Sequence, residues 1–232
     1  MQKFIEKLKI YCEINSLQIA VNKCSTLHVG PNNPNHEYSL SNSLIPNIQK
    51  GESVRDLGVH FSADLKWRSH IDIIVKKARR TSFALLRSLK SNDPNLLINL
   101  FKIYVIPILE FSCPIFNPYY QKDIESVEKV QRDYIRIVYR RSPHFHKNPK
   151  DPSYADLLTT FGIESLESRR LKFCLTFFHK CLYGLVPATS TSLKFVPSKT
   201  RGISHKIMIP NATKDARFNS FFLRFSRIYR IF

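Results

Sequence analysis

Trp-Arg-Ser-His-Ile-Asp-Ile-Ile-Val-Lys-Lys-Ala-Arg-Arg-Thr-Ser-Phe-Ala-Leu-Leu-Arg-Ser-Leu-Lys, residues 67–90, carries two patterns at once. Ile71, Ile74, Val75, Ala78, Leu85, Leu86 and Leu89 recur at helical spacing and form one apolar stripe. Lys76, Lys77, Arg79, Arg80 and Arg87 occupy the rest of the same helix. The stripe requires a bundle to bury it. The cationic remainder requires water or a polyanion. Lys76, Arg80 and Arg87 stand at i, i+4 and i+11 and share a side.

Working outward, residues 122–140 repeat the device. Lys129, Arg132, Arg136 and Arg140 share one side, opposite Ile124, Val127, Tyr134 and Val138. Between the two helices, Ser91-Asn92-Asp93-Pro94 ends one element and starts another. Asp93 is a helix N-cap there and Pro94 fills the first turn of a helix running to about Ile106. Residues 142–153 hold Pro143, Pro149 and Pro152 and read as a loop. Helices return at about 153–160 and 165–183, and a last one lies near 216–230.

Upstream, Phe4, Leu8, Ile10, Tyr11 and Ile14 predict an amphipathic helix over 2–16. Gln18–Val21 and Thr26–Val29 read as short strands, and Ser41-Asn42-Ser43 as the turn of a hairpin. Val54–Phe61 reads as a further strand with Gly58 in its interior, where a glycine permits a bulge or a close backbone approach. The fold class is therefore α+β, mainly α. Residues 1–63 form a small helix-plus-strands unit, 64–184 a helical bundle, and 185–232 a basic tail.

Basic residues number 36 against 18 acidic, a formal charge of +18. That surplus favours polyanion partners, since neutralising phosphates releases their counterions. The five cysteines are scattered and odd in number, which argues against a disulfide framework and fits a reducing compartment. No apolar leader follows Met1, and the most apolar stretch, 100–116, is broken by Lys102, Pro107, Glu110 and Pro114. Cys174, His179 and Cys181 lack zinc-site spacing, His144-x-His146 has no nearby cysteine, and the glycines form no phosphate loop.

Six phrases occur in order: Leu-Gln-Ile-Ala-Val-Asn-Lys-Cys-Ser (17–25), Val-Arg-Asp-Leu-Gly-Val (54–59), Leu-Lys-Trp-Arg-Ser-His-Ile (65–71), Val-Ile-Pro-Ile-Leu-Glu-Phe (105–111), Ile-Glu-Ser-Val-Glu-Lys-Val-Gln-Arg (124–132) and Leu-Glu-Ser-Arg-Arg-Leu (166–171). Together they resemble the C-terminal part of the reverse transcriptase of non-LTR (LINE-type) retrotransposons. The resemblance implies the end of a polymerase palm over 1–63, a thumb over 64–184 and a C-terminal region beyond. It implies that Lys23 lies near the phosphates of an incoming nucleotide. It also implies that Lys76, Lys77, Arg80, Arg87, Lys129, Arg132, Arg136 and Arg140 contact the template–primer backbone of RNA and DNA. Arg224 and Arg227, interleaved with Phe218, Phe221, Phe222, Phe225 and Tyr229, extend that set toward nucleic acid.

The intact family enzyme uses Mg²⁺ held by adjacent aspartates. This chain has no Asp-Asp pair; Asp56, Asp64, Asp72, Asp93, Asp123, Asp133, Asp151, Asp156 and Asp215 are isolated. The expectation is a reverse-transcriptase segment without its own catalysis or metal, intracellular by resemblance, which begins just after the catalytic hairpin. Two alternatives are a stand-alone basic nucleic-acid-binding module and a peripheral membrane protein anchored by the last helix. The phrase at 166–171 leaves Arg169 and Arg170 without an assigned role.

Overall fold

Gln2–Ile14 form the first helix, α1, as the apolar spacing predicts, yet none of its residues is buried. In this computed structural model, residues 1–30, 32–49, 51–143, 152–186, 194–197 and 205–229 are described. They fall into two compact units, Met1–His70 and Ile71–Phe232.

In the first unit, the side chain of Gln2 fastens α1 to strand β1 (Ser39–Leu40). Its Nε2 donates to the Ser39 carbonyl at 3.0 Å, and the Ser39 N–H donates to its Oε1 at 3.1 Å. β1 pairs with β2 (Ser43–Leu44) through the two-residue loop Ser41-Asn42, at φ 50° and 65°. A second hairpin joins β3 (Ser53–Asp56) to β4 (Val59–Ser62) through Leu57-Gly58, at φ 44° and 90°. Two successive positive φ angles match the twist of the flanking strands, the geometry of a type I′ turn.

Three expectations are corrected here. The predicted single strand over Val54–Phe61 is a hairpin, and Gly58 is its second turn residue rather than a strand-interior glycine. The strand expected at Gln18–Val21 gives way to a 3₁₀ turn over Val21–Lys23. The one expected at Thr26–Val29 shrinks to an isolated bridge between Thr26 and Asn47. Two bonds hold that bridge: the Thr26 N–H donates to the Pro46 carbonyl at 2.9 Å, and the Ile48 N–H donates to the Thr26 carbonyl at 2.9 Å. Among the described residues, burial in this unit is confined to Leu40, Val59 and His70.

The second unit is a bundle built around α6 (Gln121–Arg141), which buries Ile124, Val127, Val130, Tyr134, Ile135 and Val138. Helix α2 (Arg68–Ser88) contributes Ile71, Ile74, Val75, Ala78 and Leu86. Asp93 caps α3 (Pro94–Tyr104) by accepting from the Asn95 N–H at 3.0 Å, with Pro94 in the first turn, as expected. α3 stops at Tyr104, slightly short of the predicted Ile106. Pro107 cannot donate to the helix, and the chain restarts as α4 (Ile106–Glu110) and the single turn α5 (Cys113–Phe116). Tyr134 donates to the Leu97 carbonyl at 2.9 Å and stacks on Phe101 at 4.5 Å between ring centroids.

A capping box between Ser153 and Asp156 opens α7 (Tyr154–Phe161), and Gly162 closes it at φ 58°. Ser165 caps α8 (Leu166–Leu182). A hairpin not expected from the sequence follows, β5 (Lys194–Pro197) with β6 (His205–Met208). The chain then forms α9 (Asp215–Phe218) and α10 (Phe221–Tyr229), which packs on α8. His144, His146 and Pro149 of the predicted proline loop lie outside the described residues.

Buried polar groups knit α6 to α7 and α8. Glu128 sits at the N-terminus of α8 and accepts from the Leu166 N–H at 3.0 Å and the Glu167 N–H at 3.1 Å. A carboxylate there satisfies donors a helix start leaves unpaired and suits the positive end of its dipole. Tyr154 donates to the same carboxylate, while Gln131 reaches Tyr154 Oη at 3.0 Å and the Glu164 carbonyl at 2.9 Å.

Candidate nucleic-acid interface

α2 presents Lys76, Lys77, Arg80 and Arg87 to solvent, all exposed. At ~100° per residue, Lys76, Arg80 and Arg87 fall within an arc of about 40°, with Lys77 beside them. The opposite side is the buried stripe that anchors the helix.

On α6, Lys129, Arg136 and Arg140 are exposed, and the exposed Asp133 shares their side. Arg132 behaves differently. It forms a two-point pair with Glu125, at 2.6 and 3.2 Å, and lies 5.0 Å from the Tyr154 ring centroid. The pair holds the Glu125 carboxyl below its ordinary value and pushes the Arg132 guanidinium up. Arg132 is therefore already engaged, and the α6 side of the interface rests on Lys129 and Arg136.

Arg141, which the sequence stripe did not include, fixes the two helices to each other. Its guanidinium donates to the Leu86 carbonyl at 2.7 Å and the Leu89 carbonyl at 3.0 Å. These are carbonyls that the end of α2 leaves without intrahelical partners, where a cation suits the helix dipole. The contact joins the last turns of both helices. The signal available in the sequence was α2's ending without glycine, which leaves its carbonyls to a side chain from elsewhere.

The tail arginines serve the bundle. Arg224 donates to the Asn117 carbonyl at 2.9 Å and the Pro118 carbonyl at 3.2 Å, and burial lowers its pKa. Arg227 donates to the carbonyls of Leu223 and Phe218, with its guanidinium 3.3 Å from the Phe218 ring centroid. The aromatic residues of α10 pack on α8: Phe221 lies 5.5 Å from Phe177 and Tyr229 5.5 Å from Phe178, and Tyr229 Oη meets His179 Nδ1 at 2.8 Å. Arg169 forms a two-point pair with Glu110 at 2.7 and 3.0 Å, bracing α8 against α4. Lys199, Arg201 and Arg230 lie outside the described residues. Lys23 belongs to the first unit, exposed at the end of its 3₁₀ turn.

Among the described residues, no three His, Cys, Asp or Glu side chains are grouped to hold a metal. No helix among them is long and apolar enough to cross a membrane. The chain is similar to a Caenorhabditis elegans protein described as uncharacterized, at 28% identity over 140 residues, which is 60% of this chain and 68% of that protein. No family model matches the chain. No solved structure matches it.

Proposed function

We propose that this chain grips the phosphate backbone of an RNA–DNA or DNA duplex through the exposed faces of α2 and α6, as the post-catalytic part of a non-LTR retrotransposon reverse transcriptase. The observation that carries the reading is the pair of exposed basic faces on two helices whose last turns Arg141 joins. Glu125 holds Arg132, Glu110 holds Arg169, and Glu164 holds Lys172 at 2.6 Å. Lys76, Lys77, Arg80 and Arg87 on α2 and Lys129 and Arg136 on α6 are exposed. Cations fixed on rigid helices suit phosphates, which position a duplex without reading its sequence.

The first unit supports the same reading over a stand-alone module. Phe4, Ile14 and Leu17 are 64%, 77% and 57% exposed, a side that further protein would cover in a complete polymerase. Lys23 in that setting stands near nucleotide phosphates. Mg²⁺ and its aspartates belong to the complete enzyme, so this chain holds the duplex and leaves the chemistry to residues it does not contain.

The test is fluorescence anisotropy of a labelled RNA–DNA hybrid at about 50 and 200 mM salt, since each phosphate contact adds roughly 0.9 to the log–log salt slope. Affinity should fall steeply with salt. Lys76→Gln/Arg80→Gln/Arg87→Gln and Lys129→Gln/Arg136→Gln should each weaken binding and flatten the slope by about 2 to 3, with melting unchanged. Binding indifferent to salt, or undiminished in both variants, overturns the proposal. Primer extension with Mg²⁺ should be nil; extension would overturn the division between holding and chemistry.

A further inference from the structure

Two thiols meet in the core of the second unit. Cys113 opens α5 and Cys174 lies midway along α8, with their Sγ atoms 3.9 Å apart. They are 1% and 0% exposed, and both are free thiols. Asn117, the residue after α5, donates from Nδ2 to Cys174 Sγ at 3.5 Å.

The charge around the pair is unusual. Arg170 lies one helical turn before Cys174 on the same buried face of α8 and is 2% exposed. None of its three guanidinium nitrogens has a hydrogen-bond partner. A buried cation without hydrogen bonds is costly, and a nearby thiolate offsets that cost. Arg224 and Arg170 both act on Cys174, while Glu110 and Arg170 act in opposite senses on Cys113. The hydrogen bond between the sulfurs makes them unequal. It holds the Cys113 thiol below its ordinary value against the opposing effect of burial, and together with burial pushes Cys174 up.

We infer that Cys113 and Cys174 form a reversible dithiol–disulfide site that reacts with a small two-electron thiol oxidant, a peroxide. The Cys113 thiolate attacks one peroxide oxygen. The O–O bond breaks, hydroxide leaves, and Cys113 becomes a sulfenic acid. The Cys174 sulfur then attacks the Cys113 sulfur. The S–S bond forms, the S–O bond breaks, and the hydroxyl departs as water with the Cys174 proton. Two electrons pass from the sulfurs to the peroxide. The sulfurs must close to about 2.05 Å. α5, a single turn that starts from Ser112 at φ 59°, is the element that would have to shift to let them close. The bond would fasten α5 to α8.

The experiment treats the reduced full chain with a few equivalents of hydrogen peroxide. Remaining thiols are then alkylated under denaturing conditions and the peptides mapped by mass spectrometry. A linked pair carrying Cys113 and Cys174, lighter by two hydrogens and reopened by a dithiol reductant, is expected while Cys12, Cys24 and Cys181 stay alkylatable. Full alkylation of Cys113 and Cys174 after the others have oxidised, or links to other cysteines, would sink the inference. Cys174→Ser should trap a sulfenic acid at Cys113 that dimedone labels. Dimedone on Cys174 in Cys113→Ser, with none on Cys113 in Cys174→Ser, would overturn the assigned roles. The wild-type map decides the matter even if either variant folds poorly.

Discussion

Met1–His70 and Ile71–Phe232 are held together by different means. The first unit relies on backbone geometry: two type I′ turns, one isolated bridge, and a glutamine side chain paired to a strand edge. Among the described residues its buried set is Leu40, Val59 and His70, and α1 buries nothing. The second unit relies on a continuous core in which α6 touches α3, α7 and α8 and buries polar groups that are mostly satisfied. Because stabilisation grows with apolar surface removed from water, the two units should differ in resistance to denaturant. Trp67, the chain's one tryptophan, packs edge-on against Phe61 at 5.5 Å and so reports on the first unit. The far-ultraviolet helix signal reports mainly on the second.

The sharpest way to break that contrast is a truncation in the larger core. Phe101→Ala removes a ring that is 1% exposed and stacked on Tyr134, and should cost about 3–5 kcal/mol. The helix signal should then lose its lead over Trp67 fluorescence in a urea titration. In the wild type, Trp67 should change at lower urea than the helices. Coincident transitions would mean that the units unfold as one and that the thin core is supported from elsewhere.

Next comes Glu128→Ala. It strips two N–H donors at the start of α8 of their acceptor and removes a carboxylate from the field of the buried Arg170. The loss should be about 3 kcal/mol, confined to the helix transition. Glu128→Gln, which keeps the shape and one acceptor, should lose less. Equal losses would show that the charge does the holding and the hydrogen bonds add nothing.

A pH titration separates the units more gently. His70 is buried against His60, accepts from the His60 N–H at 3.3 Å, and is held down to about 4 by burial and then by the neighbouring imidazole. A histidine depressed in the folded state binds its proton more readily when unfolded. Its contribution is complete above about 6.5 and is lost as the pH falls from there toward 4. Allowing for solvent screening, the loss should be on the order of 2 kcal/mol. The Trp67 midpoint should drop over that window and the drop should vanish in His70→Gln. A midpoint that stays flat in the wild type would remove His70 from the account.

The larger unit was far more legible in the sequence than the smaller one. The periodicity of Ile71, Ile74, Val75 and Ala78 places α2, and Asp93-Pro94 places the start of α3, because burial and capping are local, repeated signals. The strands expected at 18–21 and 26–29 fail because a strand needs a partner, and between them those segments find one bridge, Thr26 with Asn47. Gly58 was recognised as special, but its place in a turn depended on Leu57 also taking a positive φ, which leucine does not advertise. In the candidate site, exposure of the α2 lysines and arginines follows from the pattern. That Arg132 is held by Glu125 while Arg141 reaches the end of α2 could not be read from spacing, since one depends on rotamers and the other on the packing of two helices.

Leu57 offers the smallest and cleanest probe of the contrast. It is 88% exposed and holds φ 44°, a conformation that costs a residue with a Cβ about 1 kcal/mol or more relative to glycine. Asparagine tolerates the same region and is preferred at this turn position. Leu57→Asn should therefore stabilise the first unit by about 0.5–1 kcal/mol, visible as a Trp67 transition moved to higher urea. The helix transition should not move, because the substitution touches none of the bundle's core. A shift in both transitions would show that the turn at Leu57-Gly58 supports the bundle as well as its own hairpin. A shift in neither would mean that the hairpin has already opened before Trp67 leaves Phe61, and that the first unit is weaker at its β3–β4 turn than at its aromatic contact.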